Sequence, residues 1–244
     1  MKEQHSKRLF FAVRLLIAGI AFLPLFSCAA RIDGSIARDG SALLSVNMSL
    51  EPRITALIGR LSAAGGAQPA GQILDGPAIA RSMAAAPGVA RVSFKNTAPA
   101  AIEGTIQISN IGEFLAAGDS KGFIRFNQNS GGGSFVLNIS RGNSTGIFER
   151  LSPEIAEYLY ALMAPLVTGE EMTRAEYLEE ISLFYNKPIS DEIAASRIRV
   201  SIDFPGQITA AKGGTFSGKR ANFDIPLLDL LVLESPIVCE VNWK

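Results

Sequence analysis

The sequence predicts an α+β domain: an antiparallel β-sheet built from hairpins, with helices packed on one face. Three observations lead there. Apolar and polar residues alternate with period two along several short segments, turn chemistry joins those segments in pairs, and amphipathic stretches with helix-start signals lie between the pairs. Hairpins joined by short turns cannot form a parallel sheet, so helices between them must cover an antiparallel one.

The first pair is Arg31 to Ala37 with Ala42 to Leu50, joined at Asp39-Gly40, a hairpin-turn dipeptide. Ala42, Leu44, Val46, Met48 and Leu50 share one face, and Leu43, Ser45, Asn47, Ser49 and Glu51 the other. A helix over Arg53 to Ala63 follows, then an Ala/Gly/Pro-rich loop from Ala64 to Gly76 and a helix over Pro77 to Ala86. The second pair is Val89 to Asn96 with Ala100 to Ser109, with Ile102, Ile106 and Ile108 inward. The third, Phe123 to Asn127 with Ser134 to Ser140, turns at Ser130-Gly131-Gly132-Gly133.

Two helical stripes come next. Pro153 to Val167 has Ser152 as N-cap and Ile155, Tyr158, Leu159, Leu162, Met163 and Leu166 in line. Thr173-Arg174-Ala175-Glu176 is a capping box opening a second helix, on which Tyr177, Leu178, Ile181, Phe184 and Tyr185 face one way until Pro188 stops it. These stripes read as core. Late strands are predicted over Arg197 to Phe204, Gln207 to Ala211, Ala221 to Ile225 and Ile237 to Trp243.

Residues 1 to 27 read as an export signal, leaving 28 to 244 as a single α+β ectodomain. A basic start precedes an unbroken apolar run from Leu15 to Phe26, twelve residues, whereas a helix rising ~1.5 Å per residue needs about 20 to cross a bilayer. Leu25-Phe26-Ser27-Cys28 resembles the bacterial lipobox, in which the cysteine becomes the acylated amino terminus. The resemblance implies lipidation at Cys28, palmitate among the acyl chains, membrane attachment through them, and a place in the cell envelope at the outer membrane or cell surface rather than on the plasma membrane. Only Ala29 and Ala30 separate Cys28 from the first strand, a reach of about 7 Å. The domain is therefore expected against the head groups, with that strand's amino end facing them.

Composition excludes several functions. The only histidine, His5, leaves with the signal, which removes Ser-His-Asp triads, Cys-His dyads and most zinc chemistry from the mature chain. The signal also takes Lys2, Lys7, Arg8, Arg14 and Glu3 from a balance of 23 basic and 23 acidic residues, leaving an acidic excess of three and no nucleic-acid footprint. No enzyme activity, metal or cofactor is expected.

The motifs agree with that. Gly118-Asp119-Ser120-Lys121-Gly122 matches a nucleophile elbow but lacks a histidine base and a strand-to-helix turn. Gly213 to Lys219 approaches a P-loop, yet Arg220 stands where a hydroxyl should bind Mg²⁺, and a strand pattern follows. With Lys212, the same segment is a turn carrying three cations, Lys212, Lys219 and Arg220: a candidate contact for a ligand or lipid head group, or a solvated hairpin turn. Glu176 and Glu180 share a helical face as a carboxylate pair or as solvated charge, and Glu176 already has a capping role. Arg91, Lys95, Arg197 and Arg199 mark either the solvated sheet face or an anion-binding one. Cys239 shares a strand face with Ile237, Val241 and Trp243, so it reads as a buried structural thiol.

Phe204-Pro205-Gly206-Gln207-Ile208, Phe223-Asp224-Ile225-Pro226-Leu227, a closing Val241-Asn242-Trp243 and a hairpin directly after Cys28 together resemble the ectodomain of LppM-type envelope lipoproteins. The chain departs from that pattern in ending at Lys244 without a second hydrophobic segment. The resemblance implies a membrane-proximal α+β domain associated with envelope lipids and transfers no functional residue. Two functions follow for the domain: a noncatalytic binder of a lipid, glycolipid or envelope protein partner, or an assembly subunit with no small ligand.

Overall fold

The computed structural model describes residues 28–64, 73–116, 122–144, 159–160 and 162–244. The export signal, the Gly118 to Lys121 part of the elbow-like motif and most of the helix expected from Pro153 lie outside them. The fold is α+β. Strands β1 (Cys28–Ile36), β2 (Ala42–Ser49), β3 (Val89–Ala98), β4 (Ala101–Ile108), β7 (Arg197–Asp203), β9 (Thr215–Ser217) and β10 (Arg220–Pro226) form a seven-stranded sheet in the order β3-β4-β2-β1-β7-β10-β9. A second sheet has the order β5-β6-β11-β8, from β5 (Ile124–Asn129), β6 (Gly132–Ile139), β8 (Ile208–Lys212) and β11 (Ile237–Trp243).

All three expected hairpins form. The first turns at Asp39-Gly40, where Gly40 takes φ +82° and Asp39 Oδ1 accepts from Ser41 N at 2.9 Å. Neighbouring strands are antiparallel except β1 and β7, which run parallel with Ile32 opposite Val200 and Gly34 opposite Ile202. That pairing brings the first strand beside one from the last quarter of the chain, at the centre of the sheet.

Because paired residues project to the same side, one apolar face runs through Val92, Ile106, Leu44, Ile32, Val200 and Phe223. Two different layers cover it. Over β2 to β4 it packs on helices α2 (Gly76–Ala84) and α3 (Ile111–Ala116), through Ile79, Met83, Ile111 and Phe114, while the buried residues of α1 (Pro52–Ala64) belong to a separate helical cluster. Over β7 and β10 it is covered by the second sheet, with Phe204, Cys239, Val241 and Trp243 between the layers. The helical cover expected across one face is thus half helix and half sheet.

The opposite face is polar; Arg91 stands exposed opposite Gln107, and the other three cations singled out have carboxylate or carbonyl neighbours. Lys95 pairs with Glu103 at 2.8 Å, Arg199 stands opposite Asp224, and Arg197 donates to the carbonyls of Ala194 and Ser196 at 3.1 and 3.2 Å. This favours the solvated-face reading over an anion-binding one.

The remaining helices, α4 (Pro165–Thr168), α5 (Arg174–Phe184), α6 (Lys187–Ala195) and α7 (Leu227–Val232), gather with α1 around Tyr177, Ile181, Ile189, Ile193 and Leu231. Among the described residues this cluster contains no strand residue, so it caps one end of the sheet instead of lying on a face. Two sequence expectations change here. The helix expected through Val167 is interrupted: Met163 has φ +48° and Ala164 caps a new short helix at Pro165, whose ring and missing N–H exclude it from a helix interior. Pro188 stops nothing; it occupies the first turn of α6, where no N–H is needed. The Thr173 capping box forms as expected, with Glu176 N donating to Thr173 Oγ1 at 3.2 Å and Thr173 N to Glu176 Oε2 at 2.7 Å.

Cys239 is 2% exposed, and burial pushes its thiol up to about 11. At pH 8 it is therefore almost wholly the unreactive thiol, out of reach of reagent. We expect the native protein to resist a maleimide that labels Cys239 fully in denaturant; rapid native labelling would contradict this packing.

Candidate functional site

The strands give the domain two distinct ends. At one lie Cys28, the start of β7 at Arg197 (opposite Cys28), the end of β10 at Pro226, the end of β2 at Ser49, and the helical cluster. At the other lie the β1-β2 turn, the residues after β4 and β7, the β5-β6 turn and the end of β11. The nine residues of β1 separate the two by about 26 Å at ~3.3 Å per residue.

The second end holds a groove of about 710 Å³. Arg38, Asp39, Asn110, Asn127, Gln128 and Ser130 give it a polar lining, and Phe126, Pro205 and Trp243 supply apolar floor. The aromatic floor is held by stacking: Trp243 lies 5.7 Å from Phe126 and 5.0 Å from Phe204, ring centre to ring centre. Gly133 and Gly206 make room for it, since a Cβ at either would come within 2.3 and 3.1 Å of the indole.

Part of the polar lining serves the turns themselves. The Ser41 hydroxyl at 2.7 Å, and then its N–H, hold the Asp39 carboxyl below the usual range. Asn110 Oδ1 accepts from Glu113 N at 3.1 Å and Asn129 Oδ1 from Gly131 N at 2.8 Å. Gln128 differs. Its Nε2 donates to Arg38 O at 2.6 Å, while its buried Oε1 has no partner among the described residues. Such a group is an orphan acceptor that a small side-chain movement would offer to a donor.

The expected turn of three cations divides: Lys212, opposite Glu240, leads into Gly213, which lies with Pro226 and Arg174 toward the Cys28 end, whereas Lys219 and Arg220, after the intervening strand β9, stand at the groove end. Gly213 and Gly218 take φ +77° and +59°, and β10 follows directly, so the segment is a hairpin and has no helix for a phosphate. Phe204 N donates to Lys219 O at 2.8 Å, tying the turn to the chain just before Pro205. Arg220 reaches Asp33 at 3.6 Å and Asp203 at 3.9 Å, and Lys212 reaches Glu240 at 4.0 Å. Lys212, Lys219 and Arg220 are exposed and do not line the groove. Glu176 is committed to its cap: the Thr173 N–H, followed by its hydroxyl, holds that carboxyl below the usual range and away from Glu180.

Nothing in the sequence marks the groove, because five separate segments supply it and each reads as an ordinary turn or element end. At the other end, β1 begins at Cys28 itself, with a register shift between Cys28 and Ala30, so the two alanines expected as a tether are strand residues. No family model matches the chain, and no curated protein matches it. Among solved structures it is similar to the folded domain of LppM from Mycobacterium tuberculosis, determined by NMR, at 9% identity over 91% of this chain and 94% of that one, with a TM-score of 0.42.

Proposed function

We propose that this is a lipid-anchored bacterial cell-envelope protein whose noncatalytic domain binds a polar envelope partner in the groove remote from its anchor. The observation that supports it is the placement of two features on one strand: Cys28, behind Leu25-Phe26-Ser27, opens β1, and the groove lies past the strand's far end. Acylation at Cys28 would hold the helical cluster toward the bilayer and turn the groove toward the envelope space. A lining of amide, hydroxyl and guanidinium groups over an aromatic floor suits the sugar of a glycolipid or another polar envelope component better than acyl chains. The cations of Lys219 and Arg220 lie at that same end, so they would meet a partner there and not the head groups holding the anchor.

A second reading, an assembly subunit with no small ligand, is favoured by the use of Asp39, Asn110 and Asn129 in their own turns. Native mass spectrometry of the full protein extracted from its own membranes separates the two. The first reading expects a retained glycolipid or glycan mass that is lost when Arg38→Ala and Gln128→Leu are combined. Retention of a protein partner with no small mass would favour the assembly subunit.

A further inference from the structure

The apolar stripe expected on α5 packs only in part. Tyr177 and Ile181 are buried, but Phe184 is 67% exposed and its neighbour Leu183 is 77% exposed. They sit where α5 turns into α6, and two adjacent large apolar side chains in water at a helix corner call for a partner.

The connections of the cluster locate that corner. α6 is capped by Ser196, whose carbonyl accepts from Leu227 N at 3.0 Å at the start of α7, and the next residue, Arg197, stands opposite Cys28. α5 starts near α7, where Arg174 bonds Asp229 and Glu234 at 3.0 Å each. It then runs toward the corner, and α6 returns. Since the cluster packs on no strand face, the corner lies on the Cys28 side of the sheet, on the order of 13 to 16 Å along the helices from that junction.

The hairpin is braced. Ser190 Oγ donates to Leu178 O at 2.8 Å, Tyr177 Oη donates to Leu162 O at 3.0 Å, and Asn186 caps α6 through Ile189 N. A braced corner presents its apolar tip at little ordering cost.

We propose that Leu183 and Phe184 seat in the surface of the same bilayer that holds Cys28, giving the domain a second contact and a fixed tilt. The inference rests on the reading of Cys28 as a lipid anchor. Charge points to the kind of membrane contact. Around the tip stand Glu179, Glu180 and the paired Lys187 and Asp191, 2.7 Å apart, so the local balance is acidic. Insertion would then be driven by apolar burial and would not need anionic lipid.

The test uses the full acylated protein carrying Phe184→Trp, reconstituted in phosphatidylcholine vesicles with brominated acyl chains. Wild type supplies the reference, because its single tryptophan, Trp243, is 3% exposed at the far end of the domain. Emission from the variant should fall by about a third to a half in brominated vesicles, the share that the new tryptophan contributes beside the unquenched Trp243, that of wild type should not change, and aqueous iodide should have little effect on either. Quenching by iodide alone would place the tip in water and overturn the proposal. Protection from both quenchers would place it against protein, a second copy for example, and overturn it equally. Intact mass of the same sample separates the causes. An acylated chain with an unquenched tip rejects only this inference, whereas an unacylated chain rejects the anchor and the inference with it. Leu183→Trp repeats the measurement one residue away and guards against a local effect of the first substitution.

Discussion

Growth with a labelled fatty acid should mark the wild-type protein and leave Cys28→Ala unmarked, and the variant should move from the membrane to the soluble fraction. The expected change is large because anchoring scales with buried chain. Each methylene contributes ~0.8 kcal/mol, and a single chain binds only marginally, with K of about 10⁴ M⁻¹. Two or three chains hold a protein stably, and removing all of them leaves only weak contacts such as the Leu183-Phe184 corner. Folding should survive, since Cys28 meets Arg197 by backbone pairing, which alanine retains. Equal labelling of the two proteins, or a mature amino terminus at Met1, would sink the anchor reading.

Truncating Trp243 to alanine should have the largest effect on stability, a loss of about 3 to 5 kcal/mol. Its indole lies between the two sheets against Phe126 and Phe204, with the Gly133 backbone against its edge, so no neighbouring side chain is free to fill the space. The loss combines transfer of the removed ring with the cavity left behind, and adds the two aromatic contacts. Urea unfolding followed by circular dichroism checks it, as a lower midpoint at unchanged slope. Phe216→Ala is the control: that ring is half-exposed on the short edge strand β9, and its truncation should stay within about 0.5 kcal/mol. Similar losses in the two variants would mean that the layers do not pack around Trp243. The same truncation removes part of the groove floor, so in Trp243→Ala a bound partner should be lost even at temperatures where the domain stays folded.

Much of the strand content was legible because a strand with one buried face writes its burial into every second residue. Ala42 to Leu50, Ala101 to Ile108 and Ile237 to Trp243 could be read with their inward faces assigned, and the Asp39-Gly40 turn named its own hairpin. The Thr173 box likewise needs only residues within one helical turn. The prolines were harder. Pro165 and Pro188 each begin a helix, and the same residue type at a similar place in an apolar pattern reads from sequence as helix interior in one case and as a stop in the other.

The features legible along the chain are local ones: the α+β class, the alternation, the turns, the buried thiol of Cys239 and the lipobox-like start. Packing of distant segments sets the parallel pairing of β1 with β7, the division of one apolar face between helices and a second sheet, and the position of the helical cluster at the Cys28 end. It also assembles the groove and leaves Phe184 outside the core. The difference is one of range. Periodicity and caps are satisfied by neighbours a few residues away, whereas Ile32 meets Val200, and Arg38 meets Gln128, only after loops of many residues close, and nothing in either segment names its distant partner.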